Sequence, residues 1–417
     1  MSHRESMAPM HQSLRHLGSW RAVTVSPATV IVGILLGEQV LTAIIGIAGG
    51  LWPAQSALLL HLLIAGQLLL DGLGLLLLFQ SSGHQVARPR LLVVSLIGLL
   101  LAAVAKNLHV SPSAAAIDLV RLVVPLAWMA LAPLGSIADE FLEQVGRIRY
   151  LIVAILVVQV VGLIGGRMEG WGAAYLSGDP LTGLLVFPAM VAGGDTIGQA
   201  AIVLMAVPVL VVSLKRTSWV STAVVIVLLA VWSWRSASAR ALKRLSVVAI
   251  CGLLLASAVA YRLGAANGVI RRAETITSIA ANSGSDYSFA QRIQEITVEV
   301  NRIKANPIPT VLFGLSSEEV TLPNGQNTHA IHATPFFLLF GGGLLWVVAF
   351  LMAGIPRAIP HPEASPSLWL LALIAIGSLL DSLGGNTALA PSFGLALAVT
   401  SQLAALLLRK ARTVERS

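Results

Sequence analysis

The chain reads as an all-α integral membrane protein of about twelve transmembrane helices, with one long external loop containing amphipathic helices. Three observations predict this. Of its 417 residues, 56% are hydrophobic and only 11% are charged, whereas a soluble protein needs about 25% charged residues to cover its surface. Apolar runs recur from residue 28 to residue 408, with a mean hydropathy of +0.84 for the whole chain, which implies many spans rather than one anchor. Bases gather between the runs in the way cytoplasmic connections do. The net charge of +8 therefore reflects cytoplasmic loops, and nucleic acid is not an expected partner.

Residues 1–27 carry Arg4, Arg15 and Arg21 ahead of a long apolar segment with no small-residue cleavage site. That is the pattern of a cytoplasmic tail, not of a removed signal peptide. Apolar segments follow near 28–48, 57–79, 91–105, 117–134, 149–165, 197–214, 217–233, 245–263, 333–353, 367–381 and 389–408. A shorter one, 180–193, is decided by charge. Bases cluster at Arg88/Arg90, Arg147/Arg149, Arg235/Arg240/Lys243/Arg244 and Arg409/Lys410/Arg412/Arg416, and such clusters mark the cytoplasmic side. With the first tail inside, five spans carry 166–180 outside, and 234–244 returns inside only after an odd number of crossings. Counting 180–193, short, bent at Pro188 and partly inserted, gives about twelve spans and both termini cytoplasmic. The chain then divides into a tail (1–27), a first part of the bundle (28–263), an external loop (264–331), a last part of the bundle (332–408) and a basic cytoplasmic tail (409–417). The one cysteine, Cys251, lies in an apolar run and has no intrachain partner, so it reads as a lipid-facing or packing residue.

Along the external loop Arg262, Arg271, Arg272, Arg292, Arg302 and Lys304 are balanced by Glu274, Asp286, Glu295, Glu299, Glu318 and Glu319. Such balance suits a folded subdomain, and a long loop of this kind usually carries function. Phe289, Ile293, Ile296, Val300 and Ile303 recur at helical spacing, with Ser288 and Gln291 as a capping box and Asn306-Pro307 as a stop. Arg292, Glu295, Glu299 and Arg302 form a polar stripe opposite. One reading is a solvated ion-pair ladder; the other is that Arg292 points into a cleft at the membrane surface and grips an anion, with Glu295 as a further candidate beside it.

After the loop, a polar turn runs straight into a span. Pro335 suits its first turn and Thr334 or Ala333 its cap. His332 then stands beside a helix N-terminus, where free N–H groups favour an anion and disfavour imidazolium, leaving a neutral ring able to accept a proton. His329 competes for that role, and a plain interfacial anchor is the alternative for either. Lys215-Arg216-Thr217-Ser218 interrupts two spans at the outer face, against the usual charge bias, as a functional pair of cations or as snorkelling side chains at a tight turn. If Arg216 and Arg292 both face the pocket under His332, two fixed cations and a neutral base suit a diphosphate leaving group and a hydroxyl nucleophile. Among intramembrane ionisable residues, Asp118 and Arg121 at i, i+3 read as a self-satisfied pair. Glu38 and Asp71 are candidate relay groups of a transporter, and no metal or cofactor motif emerges.

Taken together, Lys215-Arg216-Thr217-Ser218, Arg292 in Phe-Ala-Gln-Arg-Ile-Gln-Glu, Phe313-Gly314, and His332 followed by Phe336-Phe337-Leu338-Leu339-Phe340 and Gly341 to Gly343 resemble the bacterial O-antigen ligase and O-antigen polymerase superfamily. The resemblance covers roughly residues 197–355; Ala333 follows the His where members often carry Asn or Ser. It implies a metal-independent, membrane-embedded glycosyltransferase in the bacterial cytoplasmic membrane, with an undecaprenyl-pyrophosphate-linked glycan as donor and an acceptor glycan or lipid as its second partner. His332 would be the general base, with Arg216, Arg292 and Lys215 holding the pyrophosphate. Polymerisation of an exopolysaccharide, capsule or O-antigen is favoured over ligation, with polysaccharide export machinery as a possible partner. The alternative class is a polytopic transporter or a lipid-linked glycan flippase, against which the concentration of polar residues in one external loop argues.

Overall fold

A computed structural model of the protein describes residues 25–51, 56–81, 90–165, 183–192, 195–212, 216–236, 251–252, 254–258, 287–317, 320–322, 334–354, 365–383 and 391–414, together with 261, 267, 270, 274, 325 and 327–328. Two antiparallel hairpins come first, α1 (Pro27–Leu51) with α2 (Ser56–Ser81), and α3 (Arg90–Asn107) with α4 (Pro112–Leu131). Then follow α5 (Leu134–Arg147), α6 (Arg149–Gly165), the short α7 (Val186–Val191), α8 (Thr196–Val212) and α9 (Arg216–Ser236). The loop region contributes α10 (Tyr287–Ala305), α11 (Pro307–Phe313) and a minimal antiparallel ladder, β1 (Val320–Thr321) with β2 (Asn327–Thr328). Finally come α12 (Thr334–Gly354), α13 (Pro366–Ser382) and α14 (Pro391–Val414).

The described architecture is thus helical, and five of its helices, α1, α2, α4, α12 and α14, are long and apolar enough to cross a membrane. The α5–α6 pair, bent by 57°, makes a sixth if it is taken as one span, while α3, α8, α9 and α13 are apolar over 10–17 residues. Local chemistry sets several of the starts. Ser111 caps α4 by accepting the Ala114 N–H at 3.0 Å, and Ser365 caps α13 by accepting the Leu368 N–H at 3.1 Å, each followed by a proline in the first turn. Leu69, Leu101 and Val161 stand exposed on helix exteriors, with Leu69 at 73%. Such a surface suits hydrocarbon rather than water.

Among the described residues the interior holds two large apolar clusters and a small one of Ile45, Leu59 and Leu63. The largest runs through α1, α2, α4, α5, α6, α7, α8, α9, α13 and α14. The second large one joins Leu99 of α3, Leu122 and Leu126 of α4, and Phe337, Leu338 and Trp346 of α12, with Ile296 of α10 packed on its edge.

Residues 134–147, expected as a connection, are instead an amphipathic helix. Leu134, Ala138, Phe141 and Val145 recur on one face of α5 and are buried, while Arg147 pairs with Glu143 on its exposed side. Arg149 is not a loop base either: it is only 2% exposed. Its guanidinium donates to the carbonyls of Ala189, at 2.9 Å, and Ala192, and pairs with Asp195 at 3.6 Å. These bonds satisfy the C-terminal carbonyls of α7. They also carry a topological consequence, because α6 spans roughly 25 Å at 1.5 Å per residue. The chain that leaves α6 at its far end is back beside the first residue of α6 by Ala189. Within the expected segment 180–193, the described helix is only Val186–Val191, about 9 Å long and too short to cross a bilayer by itself. The 245–263 segment falls largely outside the described residues, although Cys251 is exposed, as a lipid-facing residue would be.

Replacing Arg149 by Ala should strand those buried carbonyls, and so cost about 3 kcal/mol. Thermal unfolding of the purified protein in lipid nanodiscs measures this, with Arg149→Lys recovering only part because it lacks the guanidinium fork. An unchanged midpoint for Arg149→Ala would refute the role given to it.

Candidate functional site

The helix that follows the loop is broken. Gly343 in α12 has φ 58° and ψ −155°, which is non-helical and takes the carbonyls of the preceding turn out of the intrahelical ladder. In an apolar surrounding each of those carbonyls needs a donor. The Phe340 carbonyl receives the Leu315 N–H at 2.8 Å, and the Gly341 carbonyl receives the Lys106 ammonium.

Leu315 reaches this point because Gly314, at φ 84°, ends α11 against the break. A Cβ on Gly314 would collide with the Gly341 carbonyl oxygen, and one on Gly343 would lie 2.6 Å from the Gly314 nitrogen. Two glycines far apart in sequence thus permit one close backbone approach.

Lys106, at the end of α3, also donates to the Phe313 carbonyl at 3.3 Å and pairs with Asp118 at 3.4 Å. The Asn107 amide donates to Asp118 at 3.0 Å, and its carbonyl oxygen accepts the Ser317 N–H at 2.7 Å. Arg302 of α10 continues the network, donating to Glu299 at 2.8 Å and to the Ser316 hydroxyl at 3.0 Å. One polar chain therefore ties α10 and the 314–317 segment to α3, α4 and α12.

This arrangement corrects several expectations. Asp118 and Arg121 are not a self-satisfied pair, since Asp118 is engaged by Lys106 and Asn107. Arg121 instead lies 5.4 Å over the Phe337 ring of α12. The stripe on α10 is not a solvated ladder: Glu295 is 1% exposed and Glu299 is 8% exposed, whereas Ile293 faces outward at 48%. Burial pushes the Glu299 carboxyl above its ordinary range, with Arg302 acting in the opposite direction. Ser288 lies inside α10 rather than before it, and the Gln291 amide donates forward to Glu295 at 3.3 Å rather than back to a cap. The stop at Asn306-Pro307 and the start of α12 at Thr334-Pro335 are as expected.

Arg292 sits half-buried near the start of α10. Arg216 is the first residue of α9, with its side chain outside the described set. Two residues on, the Ser218 hydroxyl donates to Asp381 of α13 at 2.8 Å. The described contacts thus join Arg292's helix to the α12 seam and Arg216's helix to the α13 seam. Lys215, His329 and His332 lie outside the described residues; His332 precedes buried Thr334 by two positions. Asp71, a candidate relay group, accepts the indole N–H of Trp128, a structural use of one of its oxygens. Among the described residues no three His, Cys, Asp or Glu side chains stand close enough to hold a metal ion.

The sequence passes over Lys106, because a lone lysine at a span end looks like an interfacial anchor. The Gly341-Gly342-Gly343 run was the available signal that something must approach α12 closely there.

Compared with known proteins, the chain matches no family model, no curated protein and no solved structure.

Gly314→Ala should cost on the order of 3 kcal/mol, combining positive-φ strain with overpacking. Gly325, at φ 78° with open space for 4 Å around the position a Cβ would take, is the control, and Gly325→Ala should cost about 1 kcal/mol. Unfolding midpoints in nanodiscs test the difference; equal shifts would remove the close-approach argument.

Proposed function

We propose that the protein is a membrane-embedded, metal-independent glycosyltransferase of the O-antigen ligase and polymerase kind. It polymerises an exopolysaccharide, capsule or O-antigen at the outer face of the bacterial cytoplasmic membrane. In this reading about twelve spans bring both termini to the cytoplasm and residues 264–331 face outside. His332 takes the proton of an acceptor sugar hydroxyl. The acceptor oxygen bonds to the anomeric carbon as the bond to the pyrophosphate oxygen breaks, and Arg216, Arg292 and Lys215 hold the departing undecaprenyl pyrophosphate.

The observation that carries this reading is the junction of Phe313-Gly314 with the Gly341–Gly343 break. Two short motifs of the resemblance, distant in sequence, thereby act as one unit that anchors the helix directly after His332. The buried Glu295 and Glu299 add support, because they tie the Arg292 helix to the bundle rather than leaving it on a free loop.

General-base help is worth about 10²–10⁴-fold, so His332→Ala should leave the protein in the membrane at a normal level with glycan assembly nearly gone. Gels of glycan chain length from cells carrying His332→Ala, Arg292→Ala or Arg216→Ala read this out. Accumulated unpolymerised lipid-linked units indicate a polymerase, and accumulated untransferred long chains a ligase. Normal product in His332→Ala moves the base to His329, and normal product in His329→Ala as well would overturn the enzyme reading in favour of transport.

A further inference from the structure

Among the described residues, the seam where α3, α4 and α12 meet carries two cations against one anion. Lys106 and Arg121 are the cations and Asp118 is the anion. Asp118 is 2% exposed and is spent on Lys106 and Asn107. It acts on Arg121 only through space, one turn away on the same helix. The Nε of Arg121 is buried without a hydrogen-bond partner, and the guanidinium rests on the face of Phe337. A charge drawn this far from the surface is costly inside a membrane unless an anion meets it, and intramembrane cations without partners mark ligand paths.

The geometry also says what kind of anion. Asp118 lies beside Gly341, and Leu122 beside Gly342, so α4 and α12 run parallel. On that register Arg121 starts roughly 10 Å deeper than Phe337. Its side chain therefore rises to Phe337 in the first turn of α12. On the outward side of the same turns, Phe336 is 38% exposed and Leu339 is 42% exposed. A guanidinium able to meet a small anion thus adjoins an apolar strip for a chain. A guanidinium fork suits phosphate oxygens.

We infer that Arg121, supported on Phe337, forms a subsite for the phosphate of a lipid, with the lipid's hydrocarbon lying along Phe336 and Leu339. This subsite does not depend on the glycosyl-transfer reading. It takes a polyprenyl phosphate or a phospholipid headgroup by the same chemistry.

The test uses the purified full chain in phosphatidylcholine nanodiscs, titrated separately with undecaprenyl phosphate, phosphatidylglycerol and inorganic pyrophosphate. Binding is read by native mass spectrometry and by the unfolding midpoint. Wild type should bind at least one of the two lipids, and Arg121→Gln should weaken that binding about tenfold or more, the effect of losing one charge-assisted contact. Without ligand, the midpoint of Arg121→Gln should be unchanged or higher, because an uncompensated charge has been removed. Arg121→Lys keeps the charge, guards against misfolding of the first variant, and should bind with intermediate strength. Preference between the two lipids identifies the source of the phosphate. The inference is overturned if Arg121→Gln binds both lipids as wild type does, if wild type binds neither lipid, or if wild type binds pyrophosphate alone. It is equally overturned if Arg121→Gln loses several degrees of stability without ligand and Arg121→Lys binds as wild type, which would mark a structural cation. Weakened lipid binding in Arg121→Gln alongside normal glycan in the His332 and His329 variants would leave the subsite standing and the transferase reading fallen.

Discussion

The carbonyl groups released by the break in α12 are the constraint on which much of this structure depends. A helix inside a membrane satisfies its own backbone, and any interruption must borrow donors from elsewhere. Here the donors are the Leu315 N–H and the Lys106 ammonium. The first can approach only because Gly314 has no side chain, and the second only because α3 ends level with the break. Supplying them brings the 314–317 segment, the α3–α4 turn and the first turns of α12 to one end of the bundle. The polar network of Asp118, Asn107, Ser317, Ser316 and Arg302 follows from that convergence.

Elsewhere the helices are held by close packing rather than by burial from water, since lipid is as apolar as a leucine side chain. Glycines mark the tight seams. Gly37 and Gly66 of the first hairpin face Leu70 and Leu41, Gly377 faces Val225 of α9, and Gly394 meets the backbone of Pro125 in α4. Single polar bonds act between these seams as pins, as in Trp128 with Asp71 and Ser218 with Asp381. Arg149 differs in kind, because it serves three acceptors of the 189–195 segment at once. A membrane interior rewards such multidentate donors, since each unmet acceptor there has no water to fall back on.

The polar face of α10 follows the same logic. Its acids turn inward, where Arg302 meets Glu299 and Gln291 meets Glu295, while Ile293 turns outward and Ile296 packs on the second large cluster. Helical periodicity correctly found two faces, but the acidic face holding Glu295 and Glu299 is the more deeply buried, which hydropathy does not foresee. In a protein whose interior carries charge and whose exterior meets lipid, that rule loses its usual sign.

Hydropathy and the spacing of Ser, Pro and Gly were enough to find most of the described helices, the start of α12 at Thr334-Pro335 and the boundary at Asn306-Pro307. These are properties of the chain itself, because backbone hydrogen bonds and apolar runs are local. The helix at 134–147 was also legible in Leu134, Ala138, Phe141 and Val145, but its charges read as a loop. Partnership was not legible. Asp118 has Arg121 one turn away and Lys106 twelve residues away, and sequence proximity picks the former. The choice was made by the broken α12, whose Gly341 carbonyl brings Lys106 within reach of Asp118 and leaves Arg121 to Phe337. Local chemistry determines which segments are helical, while the pairing of buried charges depends on which distant backbone groups need a donor, and only the assembled fold decides that.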